Sequence, residues 1–514
     1  MRLRRAAPDA PPAPPRSTRS RMLIAALAGG TSVLAFAPWG WWPVQLITLA
    51  ILFYQVLRAD SVKAAAFVGW AFGFGWCLAG VHWLTITLVR FNLPPVLAWI
   101  ALVLLCVYMG GHAAVAMGAA AWLRKRWALS LPAANLLVLP VLWALSEWSR
   151  GWLFTGFSWA SSGYAHNVTP LAGYAPIVGV YGIGGLAALT AGALLLLMHR
   201  TRKAALGLIA AIWIGGFALQ SITWTTPVGK PLTARLVQGN IALSNKFDPD
   251  HIGNTLRYYR DAVTSVPADL IAIPETGIPL FPQQLPAGYL DAYGTFARKT
   301  GSAIVLGMPM ADSPTSYSNS VLGLGTTLAR PYRYDKHHLV PFGEFIPAGF
   351  RWFTDMMQIP LGDQARGKVL QPAFAVKDQR VLPNICYENL FGEEIAEQLD
   401  DGSGGTVLLN VSELAWYGTS VAIPQHLQIS QMRTLETGRP MLAATNTGPT
   451  VAIDPHGAVK ASLPYYEAGV LHTSVQGMTG RTPYIVLRNW LLFALAGASL
   501  LAAWLTSRRK QAAA

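Results

Sequence analysis

Val381-Leu382-Pro383-Asn384-Ile385-Cys386-Tyr387-Glu388 is an apolar run that ends on a thiol and a carboxylate. It reads as a strand, and α/β domains place their reactive groups just past strand ends. Two other short stretches point to the same place. Ile271-Ala272-Ile273-Pro274-Glu275-Thr276 closes an apolar run on a carboxylate, and Tyr334-Asp335-Lys336-His337-His338-Leu339 carries an amine. A thiol, a carboxylate and an amine together suit acyl transfer through a thioester.

Around these stretches lies a block, residues 225–480, that holds most of the Asp and Glu and nearly all the turn-like segments. Short β-rich runs recur at 232–237, 270–273, 303–306, 382–385, 406–411 and 450–453. Helix-like stretches at 250–265, 286–299, 391–399 and 425–437 fall between several of them. Strands alternating with helices predict an α/β layered domain, and about 255 residues suffice for a full core.

Outside this block the composition changes. Over the 514 residues, 53% are hydrophobic and 12% are charged, against about 25% charged in typical soluble proteins. Eight apolar runs, at about 22–37, 41–58, 62–86, 94–123, 133–149, 168–198, 204–224 and 485–506, are candidate membrane helices. The expected organisation is a disordered basic tail (1–21), helices one to seven (22–224), the α/β block (225–480), an eighth helix (485–506) and a short tail (507–514). Ala35-Phe36-Ala37 has the small residues of a signal-peptide cleavage site. Pro38 follows at once and further apolar runs come after, so the first run is read as a retained anchor.

The basic excess, 39 Lys and Arg against 25 acidic residues, is not a nucleic-acid signature, because no basic stripe is interleaved with aromatics. The basic residues cluster instead in alternate short loops. These are Arg58 and Lys63, Arg124 to Arg126, Arg200 to Lys203, and Arg508 to Lys510, with six Arg ahead of the first run. The alternation predicts both termini in the cytoplasm and the α/β block on the opposite face, the periplasm in a bacterium.

Two features of the apolar half call for a reading. Glu147 and Arg150 lie beside Trp148 and Trp152, and are read as an interfacial pair in an aromatic belt rather than a functional intramembrane charge. Gly179-Val180-Tyr181-Gly182-Ile183-Gly184-Gly185 lies in an apolar run, where close helix packing explains the glycines better than phosphate binding.

Of the three cysteines, Cys77 and Cys106 fall in predicted spans and only Cys386 in the exported block. Cys386 therefore has no disulfide partner in its own domain and is either a buried inert thiol or a nucleophile. A nucleophilic thiol needs a base or a nearby positive charge. Glu275 is placed to take its proton, and Lys336 to stabilise an oxyanion together with the Tyr387 backbone N–H. Adjacent His337 and His338 do not readily form a metal pair, so neither a metal nor a cofactor is expected.

The motifs carry a resemblance. Pro274-Glu275-Thr276, the run from Tyr334 to Glu344 (YDKHHLVPFGE) and Ile385-Cys386-Tyr387-Glu388 resemble the three motifs of the carbon–nitrogen hydrolase (nitrilase) superfamily. Phe36-Ala37-Pro38, the run Glu147 to Phe157, Gln238-Gly239-Asn240-Ile241, Gln425-His426-Leu427-Gln428 through Gly438-Arg439-Pro440, and Ala444 to Gly448 resemble the bacterial apolipoprotein N-acyltransferases. The resemblance covers nearly the whole chain beyond the tail.

It implies a polytopic α-helical membrane domain joined to a nitrilase-like αββα sandwich. It also implies an inner-membrane enzyme acting at the last step of lipoprotein maturation. An acyl chain passes from a phospholipid, chiefly phosphatidylethanolamine, through a thioester on Cys386 to the α-amino group of a diacylglyceryl-cysteine on an apolipoprotein. By motif, Glu275 is the base, Lys336 the oxyanion stabiliser and Cys386 the nucleophile. Glu344 orients the Lys, and Asn319, Tyr387, Glu388 and Trp416 are supporting positions. Phe247 stands where members usually have Trp, and Glu413-Leu414 where many have Asn-Asp.

Phe345, Ile346, Phe350, Trp352, Phe353, Met356, Met357, Ile359 and Leu361 follow Glu344 closely and are read as a lid that dips into lipid. Two other readings are a membrane-tethered amidase with water as acceptor and a non-enzymatic scaffold. A soluble substrate needs neither the membrane spans nor the apolar insert, and a scaffold does not explain Glu275, Lys336 and Cys386 together. Nothing in the sequence demands an oligomer, so a monomer is expected.

Overall fold

The computed structural model describes residues 17–325, 330–351, 363–400 and 404–512. Each of the eight apolar runs forms helix, and among the described residues six helices are long and apolar enough to cross a membrane. These are Val62–Val81, Pro95–Arg126, Leu131–Arg150, Pro170–Leu194, Arg202–Leu219 and Trp490–Arg509. Helices Thr18–Thr31 and Trp42–Leu57 are shorter, with 14 and 16 residues. The first begins four residues inside the expected disordered tail. Ser17 caps it by accepting from the Ser20 N–H, and Arg21 is buried, donating to Gln55 Oε1 at 3.3 Å.

Small residues let these helices approach closely. A Cβ on Gly29 would lie 2.1 Å from the Phe72 carbonyl oxygen, and one on Gly75 would lie 2.1 Å from that of Ala26. The Gly-rich run also packs closely, but it contains a break. Gly179, at φ +63°, interrupts helix Ala175–Leu194, and the Val180 N–H is taken by Glu436 Oε1 at 2.9 Å.

Glu147 and Arg150 do pair, and they are buried inside the protein, with relative exposures of 3% and 5%. Glu147 Oε1 accepts from the Ser162 N–H and Oγ, both at 2.8 Å. Arg150 lies 3.9 Å over the Trp76 ring and donates to Ser161 Oγ at 3.2 Å. A buried charge persists only when paired and hydrogen-bonded, so the pair fixes segment 159–162. That segment reaches the second domain, where Trp159 Nε1 donates to Gln425 Oε1 at 2.7 Å.

The second domain has fourteen strands among the described residues: β1 Thr226–Pro227, β2 Leu232–Gln238, β3 Leu270–Ala272, β4 Ala303–Ser313, β5 Ser316–Leu324, β6 Tyr332–Asp335, β7 Phe374–Val376, β8 Gln379–Ile385, β9 Val407–Ser412, β10 Met441–Thr445, β11 Val451–Ile453, β12 Val459–Ser462, β13 Gly469–Val475 and β14 Met478–Thr479. Two six-stranded sheets run β13-β2-β3-β4-β5-β6 and β12-β11-β10-β9-β8-β7, and β1 pairs with β14. The central pairs β2–β3–β4 and β8–β9–β10 are parallel.

Alternation along the strands explains the layering. Leu270, Ala272, Val305, Val381, Leu409 and Leu442 share one core between the sheets. Ile271, Ile273, Ile304 and Leu306 face helices Pro249–Ser265 and Tyr289–Thr300. Leu382, Leu408, Met441 and Ala443 face helix Gly392–Asp400. The result is an αββα sandwich.

Candidate active site

Lys336 and Cys386 sit directly past strands and Glu275 three residues past one. Glu275 lies in the turn after β3, where Gly277 N–H donates to the Pro274 carbonyl at 3.0 Å. Lys336 follows β6 and donates its backbone N–H to the Asn319 carbonyl at 2.9 Å. Cys386 follows β8 with φ +50°, a left-handed bend that few non-glycine residues adopt. Strain of this kind is retained where the surroundings fix it, often at functional sites.

These strand ends converge on one buried cluster. Lys336, 1% exposed, places Nζ 3.1 Å from Glu275 Oε1 and 2.7 Å from Glu344 Oε1. Asn319, on β5, donates to the same two oxygens at 2.7 and 3.0 Å. Glu275 Oε2 accepts the Glu413 N–H at 2.8 Å. Glu275, Lys336, Glu344, Asn319 and Cys386 are thus brought together.

Electrostatics assign their resting states. Burial pushes the Cys386 thiol well up, Glu275 and Glu344 add to this, and Lys336 opposes it. Burial works to raise the Glu275 pKa, but Lys336, the Glu413 N–H and Asn319 outweigh it and hold the carboxyl below its usual value. Burial alone would lower the Lys336 pKa, but Glu275 and Glu344 keep it above the usual ammonium range. The cluster rests as thiol, carboxylate and ammonium. Such an arrangement can pass the thiol proton to the adjacent Glu275 carboxylate.

Glu388 does not face this cluster. It accepts from the N–H groups of His337 (2.6 Å), His338 (3.2 Å) and Ile385 (2.6 Å) and from the Tyr334 hydroxyl (3.0 Å). It ties the Lys336 strand end to the Cys386 bend. The Tyr387 hydroxyl points the other way, donating to the Gly156 carbonyl of the apolar domain at 2.7 Å. Trp416 stacks on Phe91 with ring centroids 4.3 Å apart. Phe247 is 55% exposed. Of the lid stretch, Phe345, Ile346 and Phe350 are described, and Phe350 is exposed against Phe342. Trp352, Phe353, Met356, Met357, Ile359 and Leu361 lie outside the described residues.

Residues 28–193 match the apolipoprotein N-acyltransferase N-terminal domain, and residues 233–484 match the carbon–nitrogen hydrolase domain. The chain is 47% identical over 497 residues to an apolipoprotein N-acyltransferase from Ralstonia nicotianae, covering 96% of this chain and 94% of that protein. The chain belongs to the apolipoprotein N-acyltransferase family. Similar matches are the proteins of that name from Bordetella bronchiseptica (42% identity, 95% and 97% coverage) and Nitrosomonas europaea (42%, 95% and 98%). Among solved structures, a CN-hydrolase superfamily protein from Xanthomonas campestris covers 52% of this chain and 97% of that one, at 17% identity and a TM-score of 0.37.

As a member of this family the chain is an acyltransferase built from a membrane-embedded helical domain and a nitrilase-like sandwich. Sequence reasoning missed several residues at its centre. His426 is buried against the Cys386 backbone, and burial lowers its pKa to about 4, so it is neutral. Tyr417 packs on Trp83 and Trp159 at 4.7 and 5.7 Å. Lys246 and Glu413 form a buried ion pair. The only signal for that pair was the departure from the family at Phe247 and Glu413. Among the described residues, no group of three or more His, Cys, Asp or Glu is placed to hold a metal.

Proposed function

We propose that this protein moves an acyl chain from a phospholipid, chiefly phosphatidylethanolamine, to the α-amino group of the N-terminal diacylglyceryl-cysteine of apolipoproteins. Cys386 Sγ attacks the ester carbonyl and passes its proton to Glu275. Lys336 and the Tyr387 N–H stabilise the oxyanion. The ester C–O bond breaks, the lysophospholipid leaves with the proton from Glu275, and the acyl chain stays on sulfur as a thioester. The amine then attacks the thioester, Glu275 takes the amine proton, and the Cys386 thiol is restored with that proton. Glu344 and Asn319 hold Lys336 and Glu275, and Glu388 holds the backbone. Trp416 and Phe247 face the substrates.

The observation that carries this reading is the single buried cluster of Glu275, Lys336 and Cys386, tied to the apolar domain by the Tyr387 hydroxyl bond to the Gly156 carbonyl. A site for two lipid substrates must lie at the bilayer surface. The positions of the basic clusters support both termini in the cytoplasm and the sandwich in the periplasm, with domain limits at 22–224, 225–480 and 485–506. The protein acts as a monomer. The test is intact-mass and peptide mass spectrometry of purified protein incubated with phosphatidylethanolamine and no acceptor. An acyl-sized gain on Cys386, absent in Cys386→Ala, is expected. A folded wild type without adduct would overturn the phospholipid-donor reading.

A further inference from the structure

Glu275 touches a second buried charge pair that the reaction above does not use. Lys246, at the end of helix Leu243–Lys246, and Glu413, just past β9, are each 3% exposed at the side chain and make a direct ammonium–carboxylate contact. Lys246 Nζ also donates to the Glu275 backbone carbonyl at 3.2 Å. Glu413 donates its own N–H to Glu275 Oε2 at 2.8 Å. The catalytic base is thus held by this pair at both its main chain and its carboxylate.

The pair is itself anchored. Glu413 Oε1 accepts from the Ala415 N–H at 3.1 Å and from Asn446 Nδ2 at 2.9 Å. Asn446 also bonds Ile241, accepting its N–H at 2.9 Å and donating to its carbonyl at 2.7 Å. Three loops that are distant in sequence meet behind Glu275. Apolar residues of similar size fill such a space as stably as a buried ion pair does, so packing alone does not account for charges here.

The two oxygens of Glu275 differ in consequence. Oε1 accepts from Lys336 and Asn319. Oε2 accepts the Glu413 N–H, which leaves it the more open oxygen for the proton from Sγ. We infer that Lys246 and Glu413 are positioning residues for acyl transfer. Their contact aims the Glu413 N–H at Oε2 and keeps the net charge behind the base at zero. This inference rests on Glu275 being the base for Cys386.

The charges separate this role from simple packing. Removing one partner leaves a unit charge of known sign beside Glu275 and Cys386. The other ionisable groups facing Glu275 are Lys336, Glu344, Cys386, Tyr417 and His426, and Tyr259 faces Glu413. Glu413→Gln leaves Lys246 positive and favours the Cys386 thiolate. Lys246→Met leaves Glu413 negative and disfavours it.

The experiment is iodoacetamide alkylation of Cys386 at fixed pH, read by peptide mass spectrometry so that Cys77 and Cys106 are counted apart. It is run beside single-turnover thioester formation from phosphatidylethanolamine. A unit charge about 10 Å away, at an effective dielectric constant near 20, changes the thiolate fraction about tenfold. Glu413→Gln is expected to speed alkylation by about that factor and Lys246→Met to slow it equally. The double variant returns to the wild-type alkylation rate. All three form thioester at least about tenfold more slowly, with half-saturating phospholipid changed by less than about twofold. If Lys246→Met does not fold, Lys246→Gln replaces it.

Alkylation moving in the same direction in both single variants, or thioester formation at the wild-type rate, would overturn the inference. Wild-type protein that forms no thioester would instead overturn the reading of Glu275 and Cys386 on which it rests.

Discussion

Gly307 lies in β4 against the turn that carries Glu275, the proposed base. A Cβ built there sits 2.1 Å from the Pro274 carbonyl oxygen and 2.8 Å from Glu275 Cα. Real Cβ atoms stay beyond 3.0 Å, so in Gly307→Ala about 0.9 Å has to open. The crowded atoms are backbone, which cannot swing aside as a side chain can. Gly307 also accepts the Ile278 N–H at 3.0 Å, which binds the far end of the same turn to the strand. The strain therefore moves Glu275 itself, away from Lys336 and Cys386. A misplacement of about 1 Å costs about 100-fold in rate, and overpacking costs about 1–3 kcal/mol in stability. The assay is single-turnover thioester formation by intact mass, with thermal unfolding in detergent alongside. Gly253→Ala, where the added carbon meets nothing within 4 Å, is the control and should match wild type. A folded Gly307→Ala protein that forms thioester within about threefold of the wild-type rate would refute the claim that this turn sets the geometry of the base.

Other outcomes follow from the same structure. Because the Glu275 carboxyl is held below its usual value and the Cys386 thiol above its own, neither changes state near neutrality. Thioester formation should therefore stay flat from about pH 5.5 to about 8.5; a rise with a midpoint near 7 in single-turnover rates would contradict the assignment. Glu388→Gln keeps one acceptor but loses the charge that four donors share, and should lower stability by about 2–4 kcal/mol in denaturant unfolding. Arg150→Met leaves Glu147 buried without its cation and should cost about 3–5 kcal/mol, read as a lowered unfolding temperature.

Much of this architecture could be read from local pattern. The runs ending at Glu275 and Cys386 alternate between a sheet–sheet core and a helix-covered face, so both their strand character and the exposure of their ends to chemistry were visible. β5 was not visible, because Ser316-Tyr317-Ser318-Asn319-Ser320 is polar yet pairs between β4 and β6. Its polarity is explained by the site, where Asn319 bridges Glu275 and Glu344. The start of the first helix was masked by its arginines, although Ser17 carried a capping signal. The burial of Glu147 and Arg150 was not legible, because sequence shows only their aromatic neighbours. Their partners Ser161, Ser162 and Trp76 arrive from other segments. Lys246 and Glu413 stand 167 residues apart, and no periodicity encodes a contact of that range. Charge pairs across loops become legible only when the fold has brought the loops together.

The central claim is that Cys386 links two half-reactions, with an amine rather than water as the second acceptor. The most direct measurement is a chase. Protein first acylated from phosphatidylethanolamine and freed of excess lipid is mixed with a diacylglyceryl-cysteinyl peptide, and both are followed by mass spectrometry. The account predicts that the acyl mass leaves Cys386 and appears on the peptide α-amino group, one for one, while a peptide with a blocked amine leaves the thioester in place. Loss of the thioester to free fatty acid at the same rate with and without the peptide would contradict it.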